Sequence, residues 1–323
     1  MTSTAARPPA RSAIPPSEDE AWWRYALAQS GKRELDKAET RALSRASGAA
    51  GNFLVPADVE DKIVSAARTQ SAIARLARTV TTDSGSTLTV PVSTSHGTAA
   101  WQGENAAGTS TDDTFAEVPL GAFKASTRTI PCEELARDSR VPFDELGRRL
   151  VLLESVAFAA GSGTGQPQGI SVAAGAVPVV TAATGSTASF KLADIVSTYN
   201  ALPAAYHATA TWVFHPTTFA SLASLADTAG GLVLPSLQSA EPSLLGRPVE
   251  IDAGLAAPAA SARSAVFADF EAAYTIRRVA GISVQRLEEL YSDNGQLGYR
   301  AVERVDARVT LPDAARVLAH SAT

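Results

Sequence analysis

The stretch 143-FDELGRRLVLLESVAFAAGSGTGQPQGI-170 joins a helical pattern to a glycine-rich run and decides the fold of the middle of the chain. Apolar side chains recur in it at i, i+4, i+7 and i+11, a spacing that predicts one strong amphipathic helix over residues 143–160. These side chains are Leu146, Leu150, Leu153 and Ala157. Because Gly161 follows the helix directly, we expect glycine to supply a left-handed cap there.

The glycine-rich run resembles a phosphate-binding loop in composition, but its position argues against that function. A dinucleotide-binding fingerprint has a strand before its glycines and a helix after them, so that amides and the positive end of the helix face the phosphate. Here the helix comes first, and no Lys-Ser/Thr pair follows as a P-loop requires. The sequence therefore predicts no nucleotide site and no bound cofactor.

Composition limits the other classes of protein. The chain has 323 residues, of which 45% are hydrophobic, enough for a large core in one or two domains. Its net charge of −5 argues against a protein that wraps nucleic acid, so we expect only weak contact with DNA. One cysteine and four scattered histidines give no metal-ligand spacing, and no metal is expected. No apolar run approaches the roughly 20 residues needed to cross a bilayer, so we expect no membrane contact.

An acidic β-hairpin is predicted in the first half of the chain. Apolar and polar residues alternate from Leu88 to Val92 and again from Phe115 to Ile130, across a tip rich in Gly, Ser, Thr, Asn and Asp. Between Thr79 and Phe123 there is no Lys or Arg, and the acidic residues are Asp83, Glu104, Asp112, Asp113 and Glu117. A hairpin this long with no core of its own is only marginally stable in water, so we expect it to lie on another surface.

The rest of the chain mixes helices and strands. Helices are predicted from Lys191 and from Thr217, with a strand at 209–216 between them. The strands PVEID, SAVFADF, YTIRRV and ISVQRL follow, and the chain closes with a long alternating strand and a short return segment. Since no regular βαβ repeat occurs, the predicted fold class is α+β.

No convergent active site can be recognised in the sequence. Ser162 lies between glycines but not in a G-x-S-x-G elbow, and the neighbouring Glu133 and Glu134 would point in different directions from a helix. A small hydrolase that uses Cys132 or a serine as its nucleophile is a remote alternative. We predict that the protein is not an enzyme.

Several segments match one family in the same order along about residues 48–320. They are GNFLVPADVEDKIV, LTVPV, AAWQGENAAGTSTDDTFAEVPLGAFK, EELARDS, AFAAGSGTGQPQGI and the C-terminal region from LLGRPVEID to LPDAARVL. In these segments the chain resembles the major capsid proteins of tailed bacteriophages, which have the Hong Kong 97-type fold. The resemblance implies six segments: an N-terminal arm at 1–50, the first part of a peripheral domain at 51–84, an extended β-hairpin loop at 85–125, a peripheral segment at 126–188 with its spine helix at 143–160, an axial domain at 189–290, and closing peripheral strands at 291–323.

The function implied by this resemblance is structural. Copies are expected to form pentamers and hexamers and to close into an icosahedral shell around packaged double-stranded DNA, a virion capsid assembled in the cytoplasm of a bacterial host. The expected partners are other copies of the chain, a separate scaffolding protein, a portal, and cement or decoration proteins. An encapsulin-like nanocompartment, a cargo-holding shell of related fold, is the nearest alternative.

Two departures from the family pattern lead to further expectations. From residue 85 to residue 123 the extended loop has no lysine, whereas family members that lock their shells by isopeptide bonds need one in this loop, so we expect no crosslink by that route. About fifty residues precede Gly51, fewer than the scaffolding domain of some members, so little or no maturation cleavage is expected.

Subunit contacts are expected from the arm and the extended loop. Two adjacent tryptophans and a tyrosine lie in a short helix predicted from Ser17, which either packs against its own domain or docks on another subunit. The expected contact residues are Trp22, Trp23 and Tyr25 in the arm and Trp101, Glu104, Asp112, Asp113 and Phe115 in the loop. The acidic loop is expected to lie on arginines of an adjacent subunit, and the candidates are Arg137, Arg140, Arg148 and Arg149.

Overall fold

The computed structural model describes residues 53–54, 71–95, 101, 112, 114–132, 141–172, 177–226, 231–287, 291 and 295–323. The helices in these residues are α1 (Ala72–Leu76), α2 (Val141–Ala160), α3 (Leu192–Ala201), α4 (Pro216–Ala223) and α5 (Phe270–Ala273). The strands are β1 (Phe53–Leu54), β2 (Arg78–Thr82), β3 (Leu88–Ser95), β4 (Thr114–Leu120), β5 (Phe123–Thr129), β6 (Val179–Thr181), β7 (Thr211–Phe214), β8 (Ser243–Leu244), β9 (Arg247–Ile251), β10 (Arg263–Ala268), β11 (Tyr274–Leu287), β12 (Gly298–Val309) and β13 (Ala315–Ala319). The predicted α+β class is confirmed.

The strands form three sheets. A five-stranded sheet has the order β1-β11-β12-β5, with β2 also paired in parallel to β11. A six-stranded sheet has the order β6-β13-β10-β7-β9-β8. The third sheet consists of β3 and β4 alone, paired antiparallel. The first two sheets each have helices and a core, whereas the third is an isolated pair.

The five-stranded sheet is built around the long antiparallel pair β11 and β12. The sequence predicted two strands, YTIRRV and ISVQRL, but the structure has one strand with a bulge between Val279 and Ser283. Ala280 and Gly281 have positive φ angles of 51° and 65° in this bulge. The Ala-Gly break between the two apolar segments therefore marks a bulge inside a continuous strand rather than a turn.

The predicted hairpin ends earlier than its sequence pattern. Alternation continues from Phe115 to Ile130, but the pairing with β3 stops at Leu120, and after Gly121 and Ala122 the chain enters β5 of the five-stranded sheet. The prediction that one hairpin strand reaches residue 130 is wrong, because an alternating pattern shows which residues share a face but not which strand they pair with.

The six-stranded sheet has a dense aromatic core. Trp212 stacks on Phe267 with ring centroids 4.2 Å apart and on Phe214 at 5.5 Å, and all three side chains are fully buried. The strand predicted at 209–216 is confirmed as β7, and all four of its residues are buried. The helices predicted near Lys191 and Thr217 are confirmed as α3 and α4.

Helix α2 confirms the predicted spine helix and begins two residues earlier, at Val141. Leu146, Leu150 and Ala157 are buried as predicted, but Leu153 is 53% exposed. The buried face is rotated so that Glu154, rather than Leu153, lies on it. The leucine spacing predicted the helix correctly but not its rotation about its own axis. The reason is that Glu154, directly after Leu153, binds a charged partner on the five-stranded sheet.

The glycine-rich segment after α2 returns to cover the end of the helix. The amides of Ile170 and Ser171 donate to the carbonyl oxygens of Phe158 and Ala159, at 3.0 and 3.1 Å. A Cβ atom on Gly169 would lie 2.4–2.7 Å from backbone atoms of the helix end, so only glycine fits there. The predicted left-handed cap at the first glycine of the run is wrong, because the positive φ angles occur two and four residues later.

Two of the expected domain boundaries do not coincide with the edges of the sheets. Strand β11 falls in the segment 189–290 expected to be axial, yet it pairs with β12 of the segment 291–323. Strand β13 falls in that closing segment, yet it pairs with β10 and β6 in the six-stranded sheet. The division into peripheral and axial domains stays a prediction. In that division β11 now belongs with the peripheral strands and β13 with the axial strands.

Other predictions lie outside the described residues. The helix predicted from Ser17 in the arm is one of them.

Candidate functional site

The hairpin of β3 and β4 has no core of its own, as predicted. Apart from Leu120 at its base, no described side chain of either strand is buried. Phe115 is 70% exposed, and Trp101, from the segment that joins the two strands, is fully exposed. Such large aromatic surfaces in water are typical of contact sites between proteins.

The acidic residues of this region are exposed where the structure describes them. Asp83, Asp112 and Glu117 are exposed, while Glu104 and Asp113 lie outside the described residues. The hairpin therefore combines exposed aromatic and negatively charged groups, which is the surface that the sequence predicted.

A single buried arginine fixes the base of the hairpin. Arg277 of β11 is 1% exposed, and its Nη1 donates to the carbonyl oxygens of Leu120 and Gly121, at 2.8 and 3.0 Å. Its Nη2 donates to the carbonyl oxygens of Ser84 and Ser86, at 2.9 and 2.6 Å. The two pairs of carbonyls belong to the chain entering and leaving the hairpin, so one guanidinium holds both ends.

The fifth donor of this guanidinium is used as well. Arg277 Nε donates to Thr82 Oγ1 at 3.1 Å, and on the neighbouring strand Asp306 accepts a hydrogen bond from the Gly121 amide at 2.5 Å. A guanidinium has only five N–H donors in a rigid fork, so this site uses all of them. Lysine has three donors and cannot reproduce this pattern.

Helix α2 presents an outer face with basic and apolar side chains. Arg148 is exposed, and Arg149 pairs with Glu145 at 2.9 Å and donates to the Arg128 carbonyl at 3.2 Å. The neighbouring apolar side chains are about half exposed: Leu152, Leu153 and Val156. No ion pair between described residues joins these arginines to the acidic residues of the hairpin in the same chain.

The remaining predicted contact residues lie outside the described residues. They are Arg137 and Arg140, together with Trp22, Trp23 and Tyr25 of the arm.

The inner face of α2 contains a buried charge cluster. Arg278 Nη1 and Nη2 donate to Glu154 Oε1 and Oε2 at 2.8 and 2.7 Å, and Nη1 also donates to Glu303. Burial, together with the nearby Glu154 carboxylate, raises the pKa of Glu303 to about 8. The cluster ties the helix to β11 and β12, the two central strands of the five-stranded sheet.

Sequence reasoning missed both arginine sites. Arg277 and Arg278 are consecutive in β11, so their side chains reach opposite faces of the sheet, one to the hairpin base and the other to α2. The available signal was the pair of charged residues in the middle of the apolar strand YTIRRV. Two consecutive charges in such a strand need buried partners on both sides, but the sequence does not say which elements supply them.

A buried serine–histidine pair and the one cysteine have structural positions in the described part of the chain. Ser264 Oγ and His320 Nε2 are 2.7 Å apart, but both residues are buried and His320 Nδ1 contacts the Ser186 carbonyl at 3.1 Å, not a carboxylate. Burial lowers the pKa of His320, which favours the neutral ring. Cys132 is exposed and forms an isolated β-bridge with Gln296. These residues join strands rather than open into a reaction site.

The described part of the chain lacks two kinds of feature. No group of three or more His, Cys, Asp or Glu side chains in it is arranged to hold a metal ion. No helix in it has both the length and the apolar character needed to span a bilayer.

Comparison with protein families gives a match over most of the chain. The model of the phage capsid family matches residues 51–319. No individually curated protein matches the sequence.

Solved structures share the same fold at low sequence identity. The capsid of an empty GTA particle, computed with C5 symmetry, has a TM-score of 0.69 and 21% identity over 78% of this chain and 90% of that one. The capsid of the native GTA particle has a TM-score of 0.66 and 23% identity, with 76% and 89% covered. A structure from Mycobacterium phage Cain has a TM-score of 0.60 and 18% identity, with 90% of this chain and all of that chain covered. The capsid fold expected from the sequence is confirmed.

Proposed function

Because the chain belongs to the phage capsid family and is a structural protein rather than an enzyme, we propose that its copies form pentamers and hexamers that close into an icosahedral shell around double-stranded DNA. The feature that carries this proposal is the hairpin of β3 and β4. It has exposed aromatic side chains and no core, yet its base is held by all five donors of Arg277. A firmly anchored hairpin with an unsupported apolar surface is suited to lie on a second copy.

The proposed receiving surface is the outer face of α2 on the adjacent copy. There Arg148 and Arg149 would meet the acidic residues of the hairpin, while Leu152, Leu153 and Val156 would meet Trp101 and Phe115. The charges are opposite, and both surfaces expose apolar groups. Electrostatic complementarity of this kind fixes the register of two partners, and burial of the aromatic side chains supplies the affinity.

Repetition around a closed ring would make these contacts strong. Each copy gives one hairpin and receives another, so the contact is head-to-tail and closes when the rotation between copies fits a ring. Several modest contacts to different neighbours then act together and hold each subunit. With no lysine in the hairpin segment, we propose that the shell is held by such non-covalent contacts.

The proposed shell also has contacts with DNA and with other proteins. The net charge of −5 favours an inner surface that holds DNA only weakly. A portal, a scaffolding protein and cement proteins are the further partners that we propose, with assembly in the cytoplasm of a bacterial host.

The assembly state of the purified chain tests the proposed function. Sedimentation velocity and negative-stain electron microscopy should show closed particles of megadalton mass. A chain that stays monomeric under all assembly conditions, including with co-expressed phage proteins, would contradict the proposal.

Reversing two charges on the hairpin should block assembly without unfolding the subunit. For Asp112→Lys with Asp113→Lys, we expect the protein concentration needed for half-maximal assembly to rise about tenfold or more, because lysines would face arginines. The free energy of unfolding should change by less than about 0.5 kcal/mol per site, since such surface substitutions are nearly neutral. Light scattering measures assembly, and urea unfolding measures stability.

A matched control and a rescue variant make this test specific. Glu271→Lys with Asp313→Lys reverses two exposed carboxylates away from the hairpin and should assemble normally. Adding Arg148→Glu and Arg149→Glu to the hairpin variant should restore part of the assembly. Normal particles from the hairpin variant, or no rescue by the arginine reversals, would show that the hairpin does not lie on these arginines.

A further inference from the structure

The contact between α2 and the five-stranded sheet buries two carboxylates against one cation. Glu154 of the helix and Glu303 of β12 are 3% and 4% exposed, and both bind the guanidinium of Arg278. Glu154 receives two hydrogen bonds from Arg278, whereas Glu303 receives one. If both carboxylates were ionised, the cluster would have a buried net charge of −1.

No other described charge near the cluster can neutralise this excess. The neighbours of Glu303 along β12 on the same face are Ala301 and Val305, and its cross-strand partner on β5 is Ala125. Lys124 and Arg304 are paired with each other across β5 and β12, on the opposite face of the sheet. Arg149 on the helix is exposed and pairs with Glu145.

A bound proton removes the excess at low energetic cost. An uncompensated buried charge is expensive, and a carboxylate in such a site usually takes up a proton instead. Consistent with this, burial and the Glu154 carboxylate raise the pKa of Glu303 to about 8. Although burial by itself would lower the pKa of Arg278, the two carboxylates raise it, so the guanidinium stays charged.

We propose that Glu154, Arg278 and Glu303 form a proton-dependent latch between the spine helix and the long sheet. With one proton held by the carboxylate pair, the helix is docked on β11 and β12. When that proton is lost, the two carboxylates repel each other in a buried site, and the helix is held less tightly. The latch is a property of the single subunit and does not depend on the proposed assembly.

The pH range of the latch follows from the sign of the pKa shift. The carboxyl group has a pKa near its ordinary value of 4.5 when the helix is released and of about 8 when it is docked. Docking therefore binds a proton between these values, so it is favoured at low pH and weakens as the pH rises. For one proton, the docking equilibrium should fall by roughly tenfold per pH unit between about pH 5 and pH 8.

Hydrogen exchange of the full-length, unassembled chain tests the latch. After correction for the intrinsic pH dependence of exchange, protection of the amides of residues 145–160 should fall by more than about tenfold from pH 6 to pH 8. Glu303→Gln mimics the protonated carboxyl and should reduce this change to less than about twofold. Glu145→Gln, in the exposed pair of the same helix, should keep the wild-type response. Equal pH dependence in the wild-type protein and Glu303→Gln would overturn the proposal.

Infrared spectroscopy of the wild-type protein detects the shared proton directly. This second measurement does not require Glu303→Gln to fold. A band from a protonated carboxylic acid should be present at pH 7 and should disappear as the pH is raised above 8. If no such band exists at pH 7, the carboxylates do not share a proton and the latch does not exist.

Discussion

Arg278→Met should destabilise the subunit by about 3–5 kcal/mol, because it leaves Glu154 and Glu303 buried without their cation. The two carboxylates would then have to take up a proton each on folding. The loss of stability should therefore be smallest near pH 5 and should grow as the pH rises towards 8. Urea unfolding of the unassembled chain at several pH values measures both effects.

An exposed ion pair provides the control for this prediction. Arg75 and Glu250 are 2.5 Å apart, but both side chains are exposed. Arg75→Met should cost less than about 1 kcal/mol at any pH, as for other solvated pairs. If the two substitutions had similarly small effects, the cluster under α2 would not be the main link between the helix and the sheet.

Arg277→Lys should release the base of the hairpin even though it keeps the positive charge. The substitution removes two of five N–H donors and the planar geometry that reaches four carbonyl oxygens. Each unsatisfied buried group costs about 1–3 kcal/mol, so we expect a local loss of about 2–4 kcal/mol. Because the hairpin has no core, this loss should appear as opening of the hairpin before the rest of the chain unfolds.

Proteolysis within residues 83–123 measures this opening. A local loss of about 2 kcal/mol corresponds to cleavage that is roughly thirtyfold faster when the hairpin opens and closes rapidly relative to cleavage. Arg263→Lys is the control, since Arg263 makes a single hydrogen bond of 2.7 Å to the Ser171 carbonyl, far along the chain from the hairpin. If cleavage of the hairpin were equally fast in the wild-type protein and Arg277→Lys, the anchoring role of Arg277 would be wrong.

The sequence allowed prediction of those elements whose burial follows a local period. The spine helix was predicted because its apolar residues recur at the spacing of a helix, and strand β7 was predicted within the segment TATWVFHP. The exposed face of the hairpin was predictable too, since the long segment has acidic residues and no apolar core. For strand β7 and the hairpin, local pattern and final burial agree, whereas in the spine helix Leu153 of the predicted apolar face is exposed.

What could not be predicted depends on partners far away in sequence. Strand β5 continues the alternation of β4 but pairs with β12, 170 or more residues later. Arg277 binds carbonyls at residues 84 and 120, and Arg278 binds a carboxylate on a helix over 100 residues earlier. A sequence pattern fixes which face of an element is apolar, but the choice of partner depends on the packing of the whole fold.

Electron cryo-microscopy of particles assembled from the full-length chain tests the central proposal most directly. We predict a closed shell with rings of five and six copies, in which the β3–β4 hairpin of each copy lies on the outer face of α2 of its neighbour, with Asp112 near Arg148 or Arg149. Particles without such rings, or rings in which the hairpin makes no contact with a neighbouring α2, would contradict it.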